Sequence, residues 1–263
     1  MKYILLLLVS IVIFAPKTFA AEILMNERTS LFEKHHYESW SGKAEMDYYV
    51  LKPLNYDPQK FYPLVVNLHG GTGRALGAYA LSAPQLRENF PAFILVPHVT
   101  GVSSWEVEAY EDFWPIPNTH VMRIIKTLMK EYSIDENRIY LTGHSMGGFG
   151  TFGMVAQYPD FFAVAAPLCG GGDISDAPKM VDTQMWIFHG NKDRNISVEK
   201  SRNISKAIAK AGGTKVYYTE YPIGHDVWTL VYDKFYFWSA LFKQRREIQD
   251  ASFSKVLKDA FSF

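Results

Sequence analysis

A pentapeptide in the middle of the chain has the spacing that places a serine on a tight turn. Gly143-His-Ser-Met-Gly147 follows a mostly apolar stretch that begins at Ile139, and small residues follow it. This G-x-S-x-G pattern, between a predicted strand and a predicted helix, is typical of a turn that exposes a serine nucleophile. Glycine is expected at Gly143 and Gly147 because the backbone must pass closely on both sides of the serine. Ser145 is therefore a candidate nucleophile for acyl transfer.

A serine hydroxyl needs a base that takes its proton and an acid that orients the base. Asp193, in His189-Gly-Asn-Lys-Asp193, follows one predicted strand, and His225 follows the next, in the chain order Ser, Asp, His. An imidazole with an ordinary pKa of about 6.5 can accept and return a proton near neutral pH. The aspartate would hold the imidazole tautomer and stabilise the imidazolium. Asp193 is the expected acid, and Asp173, after the preceding strand, is the alternative.

The same chemistry needs N–H donors for the negative charge that develops on the substrate oxygen. Met146 directly follows the serine and offers one backbone N–H at the start of the predicted helix. The second donor is expected from the glycine turn His69-Gly-Gly-Thr-Gly73, which follows the first core strand. Within that turn the N–H of Gly71 is the expected donor, and the N–H of Thr72 is the alternative.

These candidates follow the strands of an alternating α/β pattern. Apolar or alternating stretches predict strands at residues 45–51, 64–68, 93–97, 139–142, 163–168, 185–188 and 215–221. Helices are predicted at residues 119–132, 147–158, 198–211 and 227–242, with Thr119 capping the first. Residues 21–43 are polar and are predicted to be irregular, and residues 99–117 a loop. Strands that are apolar on both faces indicate a mainly parallel sheet between two helical layers, with its ligand site beyond the carboxyl ends of the strands.

The composition favours one globular domain and argues against several kinds of partner. The chain has 263 residues, 48% of them hydrophobic, so residues 21–263 are expected to form a single domain. Twenty-seven basic residues balance 27 acidic ones, and we expect no nucleic-acid partner. Cys169 is the only cysteine, and no H-E-x-x-H motif occurs, so neither a metal nor another cofactor is expected. The sequence does not indicate an oligomeric state.

The two ends of the chain have their own patterns. Lys2 precedes an apolar run at residues 3–14, and Thr18-Phe-Ala20 places small residues at a cleavage site. Residues 1–20 are therefore predicted to be a signal peptide cut after Ala20, with export to the periplasm or the exterior and no stable membrane insertion after cleavage. Residues 247–263 carry apolar residues at helical spacing, which suits either packing on the domain or a dimer contact.

Several further motifs join the serine pentapeptide in a recognisable set. They are Leu68-His-Gly-Gly71, Gly143-His-Ser-Met-Gly-Gly148, Tyr158-Pro-Asp-Phe161, Ala166-Pro-Leu-Cys-Gly-Gly-Gly-Asp173, His189-Gly-Asn-Lys-Asp193 and Tyr221-Pro-Ile-Gly-His-Asp-Val-Trp228. Over about residues 48–242 the chain resembles secreted bacterial α/β-hydrolases, in the branch of prolyl-oligopeptidase-like predicted peptidases, phospholipase/carboxylesterase-like proteins and feruloyl-esterase-like proteins. The resemblance implies an α/β-hydrolase fold, a triad of Ser145, Asp193 and His225, and Trp228 beside the active site.

The candidate site residues and the family resemblance together predict a serine hydrolase, first of all a carboxylesterase that cleaves a small-molecule or polymer-linked ester. A prolyl-oligopeptidase-like peptidase is the alternative within enzymes, and a non-catalytic binding protein on the same fold is the third hypothesis. Trp228, Trp105 and Trp114 are predicted to line the substrate pocket, with a plain hydrophobic cover as the other interpretation. The short connection between Ser145 and Asp193 leaves no space for a large lid, so an open cleft is expected.

A second glycine motif points to another class of protein. Gly148-Phe-Gly-Thr-Phe-Gly153 is a literal G-x-G-x-x-G, the pattern of dinucleotide-binding turns. Such glycines must form the turn between strand and helix, where backbone N–H groups meet a pyrophosphate. Here the match falls inside the predicted helix that follows Ser145, so we interpret its glycines as packing residues. His144, His69 and Cys169 are likewise predicted to have packing roles.

Overall fold

The computed structural model describes residues 28–39, 45–99 and 117–246, which form eight strands and the helices that cover them. The strands are β1 (Glu33–Glu38), β2 (Glu45–Leu51), β3 (Tyr62–Leu68), β4 (Phe93–His98), β5 (Ile134–His144), β6 (Val164–Leu168), β7 (Met185–Gly190) and β8 (Val216–Tyr221). The helices are α1 (Leu76–Leu81), α2 (Pro84–Asn89), α3 (Pro117–Glu131), α4 (Met146–Gln157), α5 (Glu199–Lys210), α6 (Val227–Tyr232) and α7 (Phe235–Leu241), with a 3-10 helix at Ile174–Met180.

All eight strands belong to one sheet, in the order β1-β2-β4-β3-β5-β6-β7-β8. Strands β3 to β8 run parallel, while β2 is antiparallel to both β1 and β4. Parallel neighbours require crossover connections, and helices in those connections cover both faces of the sheet. The predicted mainly parallel α/β sheet is confirmed.

The core lies in two layers, one on each face of the sheet. Successive strand residues point to opposite faces, so Leu64 and Val66 of β3 pack on one side and Val65 on the other. Apolar residues of α3, α4 and α5 share the first layer, and residues of α1, α6 and α7 share the second. This arrangement explains why β3 is buried along its whole length and reads as a continuous apolar run.

The prediction that residues 21–43 are irregular is wrong for residues 33–38, which form β1. This edge strand pairs with β2, and His36 and Lys34 both contact the Asp47 carboxylate, at 2.8 and 2.7 Å. A charged, half-exposed edge strand shows little apolar alternation, so the sequence pattern did not reveal it. Backbone pairing with β2 defines the strand instead.

The single helix predicted at 227–242 is also wrong, because two helices occupy that range. Helix α6 ends at Tyr232, and Lys234 adopts an extended conformation with φ −97° and ψ 119°. The indole N–H of Trp238 donates to the carbonyl of Tyr232 at 2.8 Å and satisfies an acceptor that the break leaves free. The short helices α1 and α2 were not predicted, since six-residue helices carry too few turns for a periodic pattern.

The expected cap of α3 is also corrected, because the helix begins at Pro117 and Thr119 lies inside its first turn. The Thr119 hydroxyl instead accepts a hydrogen bond from the Gln157 amide at 3.3 Å. The predicted signal peptide, Trp105 and Trp114 of the predicted loop, and residues 247–263 lie outside the described residues. Within the described ranges, every helix is too short or too polar to cross a bilayer.

Candidate active site

Ser145 lies on a strained turn between β5 and α4. Its backbone has φ 56° and ψ −119°, a conformation that costs energy in a residue with a side chain. The flanking glycines permit the turn: a Cβ on Gly143 would lie 2.3 Å from the Gly147 carbonyl oxygen. The expectation that close backbone contacts require these glycines is confirmed. The turn leaves the Ser145 side chain at the carboxyl end of β5, facing the cleft.

Three predicted side chains meet in one hydrogen-bonded row. His225 Nδ1 lies 2.6 Å from Asp193 Oδ2, and His225 Nε2 lies 2.9 Å from Ser145 Oγ. Because a carboxylate only accepts, Nδ1 carries the hydrogen, and Nε2 accepts from the serine hydroxyl. The His225 side chain is 16% exposed and that of Asp193 is fully buried. This geometry leaves Nε2 free to take the Ser145 proton.

The Asp193 carboxylate is held ionised by its surroundings. Burial by itself would raise the pKa of Asp193, but hydrogen bonds from His225 and from two backbone N–H groups outweigh burial and lower it. Those N–H groups belong to Asn195 and Ile196, which donate to Oδ1 at 2.8 and 3.0 Å. The turn after β7 therefore fixes one carboxylate oxygen and leaves the other for His225.

Asp173, the alternative acid, lies elsewhere. It precedes the 3-10 helix Ile174–Met180, where its Oδ1 accepts from the Ser175 N–H at 2.8 Å. The residue is exposed, while Asp193 is the carboxylate in contact with His225. The structure therefore brings Asp193, and not Asp173, to the imidazole.

Two backbone segments border the Ser145 hydroxyl. Met146 is the first residue of α4, so its N–H has no acceptor within the helix. On the other side, the Gly73 N–H donates to the Gly70 carbonyl at 2.9 Å and closes a turn around Gly71 and Thr72. Gly70, Gly71 and Thr72 line the same cleft as Ser145. The glycine turn expected to supply one oxyanion donor thus lines the cleft, and the other expected donor, Met146, directly follows Ser145 at the start of α4.

The cleft beside Ser145 has a volume of about 920 Å³ among the described residues. Its lining includes two tyrosine rings, two arginines and two aspartates that belong to no predicted motif role: Arg28, Arg74, Tyr79, Asp226, Tyr232 and Asp233. Arg28 donates to the Tyr79 carbonyl at 3.2 Å, which ties the N-terminal segment to α1. These residues are distant in sequence and form no local motif, so only the tertiary contacts identify them.

Trp228 lies beside His225, and its predicted contact with substrate stays a prediction. Its half-buried ring contacts the His225 ring edge-on at a centroid distance of 5.0 Å and the His144 ring at 4.8 Å. His144 is buried below the turn, and burial first, then the neighbouring His225 and His69, lower the pKa of His144 to about 3. His144 is therefore a neutral packing group at working pH, as its predicted role requires.

Two other predicted packing residues support the turns around the site. His69 accepts from the Val99 N–H through Nε2 at 3.0 Å, and its Nδ1 donates to the Gly70 carbonyl at 2.8 Å. The buried Cys169 thiol donates to the His225 carbonyl at 3.2 Å. Burial raises the pKa of Cys169 to about 12, so the thiol is an unreactive neighbour of the site.

One buried cluster has the residue types of a metal site. Potential ligand atoms of Cys169, His189 and Asp193 lie within 4.8 Å of one another. Hydrogen bonds already engage all three, with Cys169 on the His225 carbonyl, His189 on the Ile196 carbonyl and Asp193 on His225. We interpret the cluster as support for the Asp193 carboxylate.

The second glycine motif lies inside α4, as predicted. A Cβ on Gly148 would lie 2.5 Å from the Leu168 carbonyl oxygen, so the residue is a packing glycine against β6. The helix continues to Gln157, and the strand-to-helix turn that a dinucleotide would need is occupied by Ser145.

Sheet order, helical layers and the serine turn define the chain as an α/β-hydrolase. A family model named Esterase, with the description "Putative esterase", matches residues 39–219. This match covers more than half of the chain, and the chain therefore belongs to the Esterase family.

Curated relatives and solved structures agree with this assignment. The chain is 29% identical over 166 residues to the bifunctional acetylxylan esterase/xylanase XynS20E of Neocallimastix patriciarum, covering 62% of this chain and 24% of that protein. It is 35% identical over 116 residues to poly(3-hydroxyalkanoate) depolymerase C of Paucimonas lemoignei, covering 41% and 28%. The chain thus spans about a quarter of the length of these two relatives.

A thermostable esterase of known crystal structure is similar over a larger part of the chain. Its TM-score is 0.75 with 34% sequence identity, covering 84% of this chain and 64% of that one. A ferulic acid esterase structure is similar with a TM-score of 0.62 at 16% identity, which bears on the fold alone.

Proposed function

We propose that this protein is a carboxylesterase in which Ser145, His225 and Asp193 form a catalytic triad. The observation that carries the proposal is the continuous row of hydrogen bonds from Asp193 Oδ2 through His225 to Ser145 Oγ. A serine hydroxyl becomes a nucleophile when a base accepts its proton, and the base acts in one tautomer when a carboxylate orients it. Membership of the Esterase family supports the same reaction class.

In the first half of the reaction, Ser145 Oγ attacks the ester carbonyl carbon while His225 Nε2 takes the hydroxyl proton. The negative charge that develops on the carbonyl oxygen is stabilised by the N–H groups of Met146 and Gly71. The intermediate then collapses, His225 returns the proton to the departing alcohol, and the acyl group remains on Ser145. Asp193 stays ionised throughout and stabilises the imidazolium of His225.

In the second half, water replaces the alcohol beside His225. Nε2 accepts a proton from that water, and the oxygen attacks the acyl carbon. The same N–H donors stabilise the second oxyanion, and the carboxylic acid leaves as Ser145 regains its proton. One imidazole therefore acts as base and then acid in each half.

Labelling with a fluorophosphonate probe tests the reaction class. We expect the wild type to label at one residue and to hydrolyse p-nitrophenyl acetate, and Ser145→Ala to do neither. Ser82→Ala is a matched control, because Ser82 is buried in the same chain but hydrogen-bonds the Tyr79 carbonyl. A wild type without labelling, or a Ser145→Ala variant with full activity, contradicts the proposal.

For the substrate, we propose an uncharged ester carried on a polymer or on a small alcohol. The charges along the cleft balance, with Arg28 and Arg74 against Asp226 and Asp233, and Trp228 offers an apolar surface beside His225. The relatives named above carry acetylxylan esterase and poly(3-hydroxyalkanoate) depolymerase activity in their names. A panel of acetylated xylan, poly(3-hydroxybutyrate), p-nitrophenyl esters and aminoacyl p-nitroanilides separates these substrates. Hydrolysis of the anilides alone would establish the peptidase alternative instead.

We also propose that the protein is exported after removal of residues 1–20. The apolar run at residues 3–14 and the small residues before Ala21 support this route. N-terminal sequencing of the protein recovered outside the cytoplasm is expected to begin at Ala21, and recovery of the uncleaved chain in the cytoplasm contradicts export.

A further inference from the structure

A buried histidine that the reaction does not use lies behind the Asp193 carboxylate. His189 is near the end of β7, and both its side chain and that of Asp193 are fully buried. His189 Nε2 lies 3.1 Å from the Ile196 carbonyl oxygen and 3.3 Å from Asp193 Oδ2. Both of these oxygens are acceptors, so Nε2 carries a hydrogen that faces the two of them.

The other ring nitrogen of His189 is held by a serine of α5. Ser201 Oγ lies 2.8 Å from His189 Nδ1 and 2.8 Å from the Gly170 carbonyl oxygen. Burial, the largest influence, lowers the pKa of His189, which favours the neutral ring. Because a carbonyl oxygen only accepts, the Ser201 hydroxyl donates its single hydrogen to Gly170. Its contact with Nδ1 fixes the position of the His189 ring, and the two acceptors beside Nε2 place the ring hydrogen there.

Both carboxylate oxygens of Asp193 thus have N–H groups beside them. Its Oδ1 accepts from the N–H groups of Asn195 and Ile196, and its Oδ2 faces His225 Nδ1–H and His189 Nε2–H. His189 also fixes the Ile196 peptide unit, whose N–H reaches Oδ1 and whose carbonyl accepts from Nε2. One imidazole therefore constrains both oxygens of the carboxylate, one directly and one through the backbone.

We propose that His189 is a positioning residue of the catalytic site: it locks the Asp193 carboxylate in place and moderates the negative charge that His225 experiences. This inference rests on the proposed function of Ser145, Asp193 and His225. An N–H dipole beside Oδ2 offsets part of the carboxylate charge that faces the His225 ring.

Two other titratable groups, Cys169 and Glu220, lie near His189 and Asp193. The Cys169 thiol lies in the same cluster and, with a pKa of about 12, stays neutral at working pH. Glu220 on β8 interacts with His189, and its carboxylate forms a two-pronged ion pair with Arg202 at 2.6 and 2.7 Å. Asp193 Oδ2, at 3.3 Å, is the carboxylate oxygen in ion-pair contact with His189 Nε2.

Two substitutions of His189 distinguish a role of its N–H donor from a role of its side-chain volume in packing. His189→Leu removes the donor, whereas the side-chain amide of His189→Gln can keep an N–H near Asp193. We measure kcat and KM for p-nitrophenyl acetate from pH 5 to pH 9, together with the melting temperature. His120→Leu is the matched control, because His120 is also a buried histidine but lies in α3 against Tyr37.

His189→Leu is expected to lower kcat about 10-fold with little change in KM, because it removes both the N–H dipole beside Asp193 Oδ2 and the hydrogen bond that fixes the Ile196 peptide unit. The acid limb of kcat/KM is expected to move to higher pH, because the carboxylate then stabilises the imidazolium more strongly. His189→Gln should regain most of the kcat and the original acid limb. His120→Leu should lower the melting temperature and leave the pH profile unchanged.

A folded His189→Leu variant with wild-type kcat and an unmoved acid limb overturns the proposal. Equal losses in His189→Leu and His189→Gln without a shift of the limb also overturn it, since they indicate a packing role. If His189→Leu does not fold, Ser201→Ala provides the test, with a smaller shift of the limb in the same direction expected and an unmoved limb contradicting it. Ser145→Ala, assayed in parallel, distinguishes these outcomes from failure of the proposed function, which would appear as hydrolysis that survives loss of the serine.

Discussion

The Cα atom of Gly147 faces the carbonyl oxygen of Leu68 so closely that a Cβ atom would lie 2.2 Å from that oxygen. Helix α4 therefore begins directly against the end of β3, and this contact joins the Ser145 turn to the glycine turn at Gly70–Gly73. The two sources of oxyanion donors are thus held at a fixed separation by backbone packing alone. Side chains at this junction would push the two turns apart.

We predict that Gly147→Ala destabilises the protein and lowers activity together. The added methyl group meets backbone atoms that cannot rotate away, and such overpacking typically costs about 1–3 kcal/mol. Gly71→Ala is the matched control for stability alone, because no atom lies within 4 Å of a Cβ built on Gly71. Urea unfolding and kcat for p-nitrophenyl acetate measure both effects. Equal stability of the two variants would contradict the packing argument.

Asp193→Asn should lower kcat by up to about 10⁴-fold while the protein stays folded. An amide at this position can present its N–H to His225 and favour the wrong imidazole tautomer. Asp173→Asn is expected to retain nearly full kcat, since that carboxylate caps the 3-10 helix. Steady-state kinetics of both variants decide between the two acids, and a large loss confined to Asp173→Asn would reverse the assignment.

The Arg202–Glu220 ion pair between α5 and β8 should make stability depend on pH. Hydrogen bonds from Arg202, the largest influence, lower the pKa of Glu220 to about 2. A lowered pKa in the folded state means that the ionised carboxylate stabilises the fold above its ordinary pKa of about 4.3. That contribution is lost as the pH falls toward 2.

Glu220→Gln is therefore expected to reduce the free energy of unfolding at pH 7. The difference from the wild type should shrink steadily between pH 4.5 and pH 2. Chemical unfolding at pH 7, 4.5 and 2.5 provides the measurement, with Glu199→Gln as a companion variant on the same arginine. If the difference in free energy of unfolding between Glu220→Gln and the wild type grows as the pH falls, the prediction is contradicted.

Trp228→Ala should weaken hydrolysis of esters with bulky apolar groups about 10-fold in kcat/KM. The ring covers His225 edge-on, and aromatic contacts of this type contribute about 0.5–1.5 kcal/mol beyond simple burial. Trp228→Phe keeps a ring in contact with His225 and is expected to retain most of the activity. Comparing p-nitrophenyl acetate with p-nitrophenyl octanoate shows whether Trp228 contacts the substrate or only holds the His225 ring in place. A uniform loss for both esters would indicate support alone.

The parts of the fold that could be predicted are those with strong local patterns. Strand β3 is a continuous apolar run, and the pentapeptide around Ser145 has a turn geometry that few other residues permit. Strand β1 escaped prediction because its residues are charged and half-exposed, and only pairing with β2 makes them a strand. The break between α6 and α7 likewise depends on the contact between Trp238 and Tyr232.

The sequence by itself determined the chemistry that is available: a serine on a glycine turn, a histidine after a late strand, and acids in the right order along the chain. Chain order favoured Asp193 over Asp173, but only the tertiary structure shows that Asp193 contacts His225 and that His189 and Ser201 lie behind it. The reason is physical, because a turn's conformation depends on the few residues within it. Contacts between turns at the ends of β6, β7 and β8 depend on strand order and register, which backbone pairing across the whole sheet establishes.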